Sequence, residues 1–368
     1  MTLKDELNKA RNTIKTDSYP ISIREIAALY KDGDLEIHPE FQRFLRWTPK
    51  QKSTFIESIL LGIPIPSVFV FQREDGVLDV VDGLQRISTI LHFMGELRDT
   101  NGELREPLIL EAAQYLPSLA GKVWSLDDEE NTVGSDIQKF FKLEKIDVKF
   151  LLRDSDEQAK YELFQRVNTG GTPLSDQEVR NCILIMVNAD AFEKLEGLSN
   201  DANFLTTCPI PEKSLQERYD LEIVLRFLLL HSIEREEISE VGDLGQFLTT
   251  RMRLNFSDPG FSIDGDIDRF QRTFALLAEA AEDNALRRYD ETKERFAGPF
   301  LISAFEMIAL GVAYNIDFVE EKGTDWLTEK IKQAWSDPRT KGIYGQGVST
   351  ARRLPRTLVF GREYFAEA

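Results

Sequence analysis

Three stretches place residues that could meet an anion. In "VVDGLQRIST" (residues 80–89), Asp82, Gly83, Gln85 and Arg86 stand where a strand turns into a helix. Two readings of them remain open. Asp82 as N-cap with Gln85 three residues later makes an Asp-x-x-Gln capping box, which explains three of the four without function. It leaves Arg86 unexplained, because a cation in a first helical turn opposes the helix dipole. An arginine beside free first-turn amides is useful when an anion lies between them, and phosphate suits the planar guanidinium fork. A carboxylate elsewhere in the fold is the structural alternative.

The second stretch, "HPEFQRFLRW" (38–47), sets Gln42 and Arg43 among Phe41, Phe44 and Trp47 after a short strand. The aromatics read as core, yet a Gln-Arg pair buried among them must find polar partners. The third is "FQRVNTGGTPLSDQEVRN" (164–181). Here Asn168, Thr169, Gly170 and Gly171 read as the end of one helix, with Ser175 and Glu178 capping the next. A Thr-Gly-Gly turn also exposes successive amides that can form an anion nest. It lacks the GxxxxGK[ST] pattern, and no P-loop, GxSxG, HExxH or kinase set occurs elsewhere.

Composition narrows the partners. The net charge of −18 argues against broad non-specific nucleic-acid binding, which relies on releasing counterions from neutralised phosphates. One stretch runs the other way: between Asp337 and Arg362 lie Arg339, Lys341, Arg352, Arg353, Arg356 and Arg362 against the single acid Asp337. It reads either as a solvated tail or as an anion-facing surface. Three scattered histidines and two cysteines outside any CxxC pattern give zinc little to bind, whereas Mg²⁺ needs only a carboxylate and a phosphate. The cysteine usage fits a reducing, cytoplasmic setting, and no apolar run approaches the ~20 residues of a membrane span. No partner membrane is expected.

The elements that must position these residues follow from pattern. Ser22 with Glu25 starts a helix over 22–32 that Gly33 ends, and "LEIH" (35–38) is a short strand. Thr48, Pro49 and Gln51 start a second helix that stops at Gly62. Residues 67–81 read as a hairpin turning at 73–76, and Leu84, Ile87, Leu91 and Met94 recur at helical spacing. Residues 98–135 are polar and read as an insertion or mobile loops. "KIDVKFLL" (145–152) is a strand returning to the sheet. Helical patterning then dominates: 156–167, 175–188, 217–232, 267–283, 293–312 and 323–335. The expected fold is α+β, with a small mixed-sheet core over 1–153 and a mainly α-helical half over 154–368.

Together the three stretches resemble the N-terminal domain family of the GmrSD type IV restriction enzymes. The family's P-x-[YF]-Q-R-x-x-x-W element stands here as Pro39–Trp47, its [IV]-D-G-Q-Q-R element as Val81–Arg86, and its F-x-R-x-N-x-G-G-x-x-L-S element as Phe164–Ser175. "SILLGIPIPSVFVF" resembles the connector between the first two, and "RYDLEIVLRFLLL" (218–230) the helical continuation. The resemblance implies a ParB/sulfiredoxin-like core and a regulatory module of bacterial phage defence or modified-DNA restriction that binds and hydrolyses a nucleoside triphosphate with Mg²⁺.

Carried over, Asp82, Gln85 and Arg86 are the catalytic core, with Asp82 the metal ligand. Gln42, Arg43, Gly83 and Asn168–Gly171 (with Thr169 and Gly170) contact the nucleotide. Leu84 departs from the family at the first glutamine, which questions hydrolysis more than binding. Relatives often carry an HNH-type nuclease, for which the C-terminal half has only His231, so a separate nuclease or other effector is the expected partner. The base of the nucleotide and the oligomeric state stay open, a homo-oligomer included. The alternative is a DNA-binding or DNA-nicking protein of ParB-like fold, using Arg352, Arg353 and Arg356 on backbone phosphate.

Overall fold

A computed structural model describes residues 2–3, 15–37, 47–73, 75–99, 101–125, 131–152, 175–342 and 349–367. The chain divides into two compact units, Met1–Pro173 and Leu174–Ala368. The division expected at 153 stands at the edge of 153–174, which lies outside the described residues, as does the expected helix 156–167.

The first unit is built on a five-stranded mixed sheet in the order β1-β5-β3-β4-β2. Its strands are β1 (Thr16–Ser22), β2 (Leu35–Glu36), β3 (Val68–Gln72), β4 (Leu78–Asp82) and β5 (Lys145–Leu151). β3 and β4 form the expected antiparallel hairpin, and β5 returns to pair parallel with β3 and antiparallel with β1. Among the described residues four helices accompany the sheet: α1 (Ile23–Asp32), α2 (Pro49–Leu60), α3 (Leu84–Phe93) and α4 (Ser135–Leu143). The Ser22 hydroxyl accepts from the Glu25 amide to start α1, and a complete Thr48–Gln51 capping box starts α2. Ile23, Ile56, Ile87, Leu91 and Phe141 share one apolar core, over which Phe93, Trp124 and Phe141 pack edge to face.

Part of the segment expected as an insertion or mobile loops packs on that core. Leu108, Leu110, Ala113 and Leu119 are buried in it. Two buried polar groups of α2 hold it there. The Glu57 carboxylate accepts the Tyr115 and Leu116 amides at 2.6 and 2.7 Å, and the Ser53 hydroxyl accepts the Glu111 amide at 2.8 Å. Each gives a backbone donor of this segment its partner.

The second unit is helical, as expected, with one short hairpin. Its helices are α5 (Asp176–Val187), α6 (Ala189–Ser199), α7 (Ala202–Thr207), α8 (Glu212–Gln216), α9 (Tyr219–Leu230), α10 (Arg235–Glu240), α11 (Leu244–Ser257) and α12 (Asp264–Ala281). After the hairpin β6 (Arg288–Asp290) and β7 (Arg295–Ala297) come α13 (Ile302–Tyr314), α14 (Ile316–Lys322), α15 (Thr324–Ala334) and α16 (Thr350–Tyr364). The helix expected over 293–312 therefore begins only at Ile302, about two and a half turns of chain later, because residues 295–297 pair with 288–290.

Phe204, Phe227, Phe270 and Phe274 interlock at the centre of this unit. α13 is broken by a π-helical turn at Phe305–Ala309 carrying the fully buried Glu306. Arg353 of α16 meets that carboxylate through two bonds of 2.9 Å, and the Thr357 hydroxyl adds a third at 3.0 Å. α13 and α16 approach closely enough to require glycine at the crossing. A Cβ on Gly361 would lie 2.1 Å from the Met307 carbonyl oxygen. No single helix among the described residues is long and apolar enough to cross a membrane.

Candidate functional site

The β4–α3 junction is where the sheet delivers its polar residues. Phe69 pairs with Asp82 but Val70 pairs with Val80, so Val81 is an extra residue in β4. Such a bulge bends a strand and re-aims the side chains beyond it. Asp82 ends the strand, and Gly83 then takes φ 95°, a left-handed conformation open to glycine at no steric cost. Space demands glycine too. A Cβ there would sit 2.8 Å from Val68 Cγ2 and 3.1 and 3.2 Å from Arg86 Nη2 and Nε.

Gly83, not Asp82, is consequently the N-cap of α3, and no side chain caps the helix. The Asp82–Gln85 capping box is not formed. The extra left-handed residue moves the helix start one position past the aspartate, out of reach of the amides it would cap. Asp82 turns instead to the arginine one turn on, its Oδ2 2.6 Å from Arg86 Nη2. Arg86 Nη1 donates to the Pro66 carbonyl at 3.2 Å. The pair is only partly buried, at 13% exposure for Arg86 and 27% for Asp82. Of the five guanidinium N–H groups, two are spent on these partners, and Nε lies against the Gly83 backbone.

Gln85 points elsewhere. Its Oε1 accepts the Trp47 amide at 3.3 Å, tying the α3 start to the residue just before the Thr48 cap of α2. The structure thus brings Asp82, Gly83, Gln85 and Arg86 to one junction and ties it to the chain leaving the second motif. Gln42 and Arg43, and Asn168, Thr169, Gly170 and Gly171, lie outside the described residues. Pro66 and Trp47 contribute through backbone atoms, which carry no side-chain signature in the sequence. Leu84 packs against the apolar core rather than toward these polar groups.

The basic stretch is no tail. Thr350–Tyr364 is a helix burying Leu354, Leu358 and Phe360. Arg353 is spent on Glu306, Arg362 donates to the Leu230 and His231 carbonyls, and Arg339 pairs with Asp337. Arg352 and Arg356 are exposed. Among the described residues, no group of three histidine, cysteine, aspartate or glutamate side chains could hold a metal ion. Burial pushes the thiols of Cys182 and Cys208 well above the ordinary range, so neither is a nucleophile.

Residues 24–185 match the family model described as the GmrSD restriction endonuclease, N-terminal domain. This part of the chain is similar to that domain. The matched span takes in all three motifs and most of the first helix of the second unit. That match relates residues 24–185 to a restriction system. No curated protein matches the chain.

Proposed function

We propose that the chain is a nucleotide-binding regulatory module of a bacterial restriction system acting against phage or modified DNA, with the β4–α3 junction as its phosphate site. One observation carries the reading: an uncapped helix start with an arginine held across it. Gly83, the N-cap of α3, has no side chain to cap the first-turn amides. An uncapped helix start attracts an anion through those amides and the helix dipole. The Asp82 carboxylate and the Pro66 carbonyl fix the Arg86 guanidinium beside Gly83 while leaving three of its donors for a phosphate oxygen.

A nucleoside triphosphate brings Mg²⁺, which takes few protein ligands and binds through a carboxylate and the phosphates themselves. The residues present fit that demand to the extent of one carboxylate, Asp82, whose Oδ1 is not used by Arg86. The ion would supply charge neutralisation on the phosphates. Gln85, oriented by the Trp47 amide, is the group placed to order a water near the helix start. Gln42, Arg43 and Asn168–Gly171 are proposed as further nucleotide contacts, and a separately encoded nuclease as the partner regulated.

The test is a calorimetric screen of ATP, GTP, CTP and UTP, with and without Mg²⁺, on the wild type and Arg86→Ala. Saturable binding of one nucleotide that Arg86→Ala weakens at least tenfold is the expected result. A folded wild type that binds none of the four overturns the reading.

A further inference from the structure

We infer that the second unit binds a zwitterionic α-amino acid, in a cavity between the end of α9, the first turns of α12 and the end of α13. The cavity measures about 370 Å³ and is lined by His231, Ser232, Gly265, Asp266, Arg269 and Tyr314. Small-molecule sites span ~300–1,000 Å³, so this one takes a ligand at the small end of that class. Its lining comes from the second unit alone, and the inference does not rest on the phosphate site proposed for the first.

Two opposite charges line this space without neutralising each other. Asp266 and Arg269 stand three residues apart on α12, a spacing at which a carboxylate and a guanidinium ordinarily pair. Each is instead drawn to a different wall. Asp266 Oδ1 lies 3.2 Å from His231 Nε2, and because a carboxylate only accepts, the ring nitrogen donates. The His231 side chain, 4% exposed, is itself fixed, with Nδ1 3.1 Å from the Phe227 carbonyl oxygen. Arg269 Nη1 donates to the Ala313 carbonyl at 2.7 Å. Among the described residues Arg269 makes no ion pair with a carboxylate. Asp317, whose carboxyl feels its charge, is held by Arg272 at 2.6 Å. The second oxygen of Asp266 and the remaining donors of Arg269 are thus left for a group between them.

That arrangement selects the ligand. A bare anion is met by Arg269 but repelled by Asp266, and a bare cation the reverse. A neutral molecule withdraws both charges from water without supplying a counter-charge to either. An ammonium and a carboxylate carried on one carbon satisfy both. The ammonium meets Asp266, and the carboxylate meets the planar fork of Arg269, which takes both oxygens. The side chain of the ligand then meets Tyr314, half exposed, whose ring is held by the Arg362 guanidinium 4.3 Å from its centre. An aromatic wall favours an apolar or aromatic side chain over the hydrogen of glycine.

The experiment titrates the full chain calorimetrically with each standard L-amino acid, then with the amide and the deaminated acid of the tightest binder, which each lack one charge. Guanosine, an uncharged ligand with donors and acceptors, is the control. An apolar or aromatic amino acid is expected to bind saturably and more tightly than glycine. Both single-charge analogues should bind at least ~10-fold more weakly, the effect of losing one charge-assisted contact. Asp266→Asn, which keeps an acceptor for His231, should weaken the amino acid at least ~10-fold and bind the deaminated acid no more weakly than wild type does. Arg269→Gln should weaken the amino acid and the deaminated acid alike.

The proposal is overturned if no amino acid binds, if guanosine alone binds, or if either single-charge analogue binds as tightly as the zwitterion. Amino-acid affinity unchanged in Asp266→Asn overturns it equally. Melting curves establish that each variant is folded. If Arg269→Gln is not, Asp266→Asn and the two analogues on the wild type carry the same comparison.

Discussion

Arg86 can be asked directly whether it serves the fold or a ligand. Its ion pair with Asp82 is 2.6 Å long and partly open to water, at 13% and 27% exposure. Exposed pairs contribute ~0–1 kcal/mol, and stranding one member of a fully buried pair costs ~3–5 kcal/mol. Arg86→Ala, which also loses the Pro66 bond and contact with Gly83, therefore costs about 2 kcal/mol between those limits. Asp82→Asn keeps an acceptor for the guanidinium and costs about 1 kcal/mol. In a unit of this size, ~2–4 °C per kcal/mol puts the melting loss at about 4–8 °C for Arg86→Ala and about half that for Asp82→Asn. The double variant should fall short of the sum by about 1 kcal/mol, the coupling of the pair. Ligand response separates the two roles. Nucleotide at ~100 times its Kd adds ~2.7 kcal/mol to a binding-competent chain. Wild type should show that upward shift, Arg86→Ala should lack it, and Asp82→Asn should keep it without Mg²⁺ but lose the extra increment the ion gives. Scanning fluorimetry of the four proteins decides the matter. A full nucleotide shift in Arg86→Ala, or a coupling above ~3 kcal/mol in a chain whose wild type shows no shift, would refute the reasoning.

Two further outcomes follow from the second unit. Glu306→Leu leaves the Arg353 guanidinium facing an apolar group in the interior, at a cost of ~3–5 kcal/mol, whereas Glu306→Leu with Arg353→Met restores most of the loss; urea denaturation that finds the double variant as unstable as the single one contradicts this. Arg272 donates to Glu320 and Asp317, and these hydrogen bonds hold both carboxyls below their usual range. A depressed carboxylate stabilises the fold fully above its unfolded pKa, ~3.9–4.3, and loses that contribution as pH falls through the folded value. The melting difference between wild type and Arg272→Gln should thus be present at pH 7 and shrink toward pH 3, and a difference constant over that range would count against the linkage.

The parts legible in the sequence are those set by local pattern. Thr48 with Gln51 and Ser175 with Glu178 form complete capping boxes, and Leu84, Ile87 and Leu91 put α3 on the core as their spacing requires. The β3–β4 hairpin and the return of β5 were likewise readable from alternating and β-branched runs bounded by turn residues. What escaped was decided by tertiary partners. β1 is an edge strand, largely exposed, so it has no apolar face to announce it. α11 carries scattered polar residues, and α16 contains Pro355 among its arginines, so neither reads as an amphipathic helix. The packing of residues 106–119 depends on Glu57 and Ser53, more than fifty positions away. At the site, the residue types were legible and their pairing was not. A strand bulge and one positive φ turned Asp82 from a cap into an ion-pair partner.

That same rotation bears on Leu84, the position where the chain departs from the glutamine of the motif it resembles. If the helix began at Asp82, Leu84 would stand within its first turn beside the capping groups. With Gly83 as cap, Leu84 becomes the first helical residue, and its side chain lies on the core together with those of Ile87 and Leu91. The leucine therefore strengthens the packing that holds the α3 start in place without occupying the space beside Arg86. Its apolar character subtracts nothing from the three features on which phosphate binding is argued, namely the helix start that its N-cap leaves uncapped, the glycine that lets Arg86 lie against the turn, and the arginine steadied by Asp82. What it removes is a second amide for ordering water, and that leaves Gln85, already committed to the Trp47 amide through Oε1, as the remaining side-chain amide at this turn. On the function proposed above, binding and hydrolysis fall to different residues of the same short motif, which is why nucleotide affinity, rather than turnover, is the decisive first measurement.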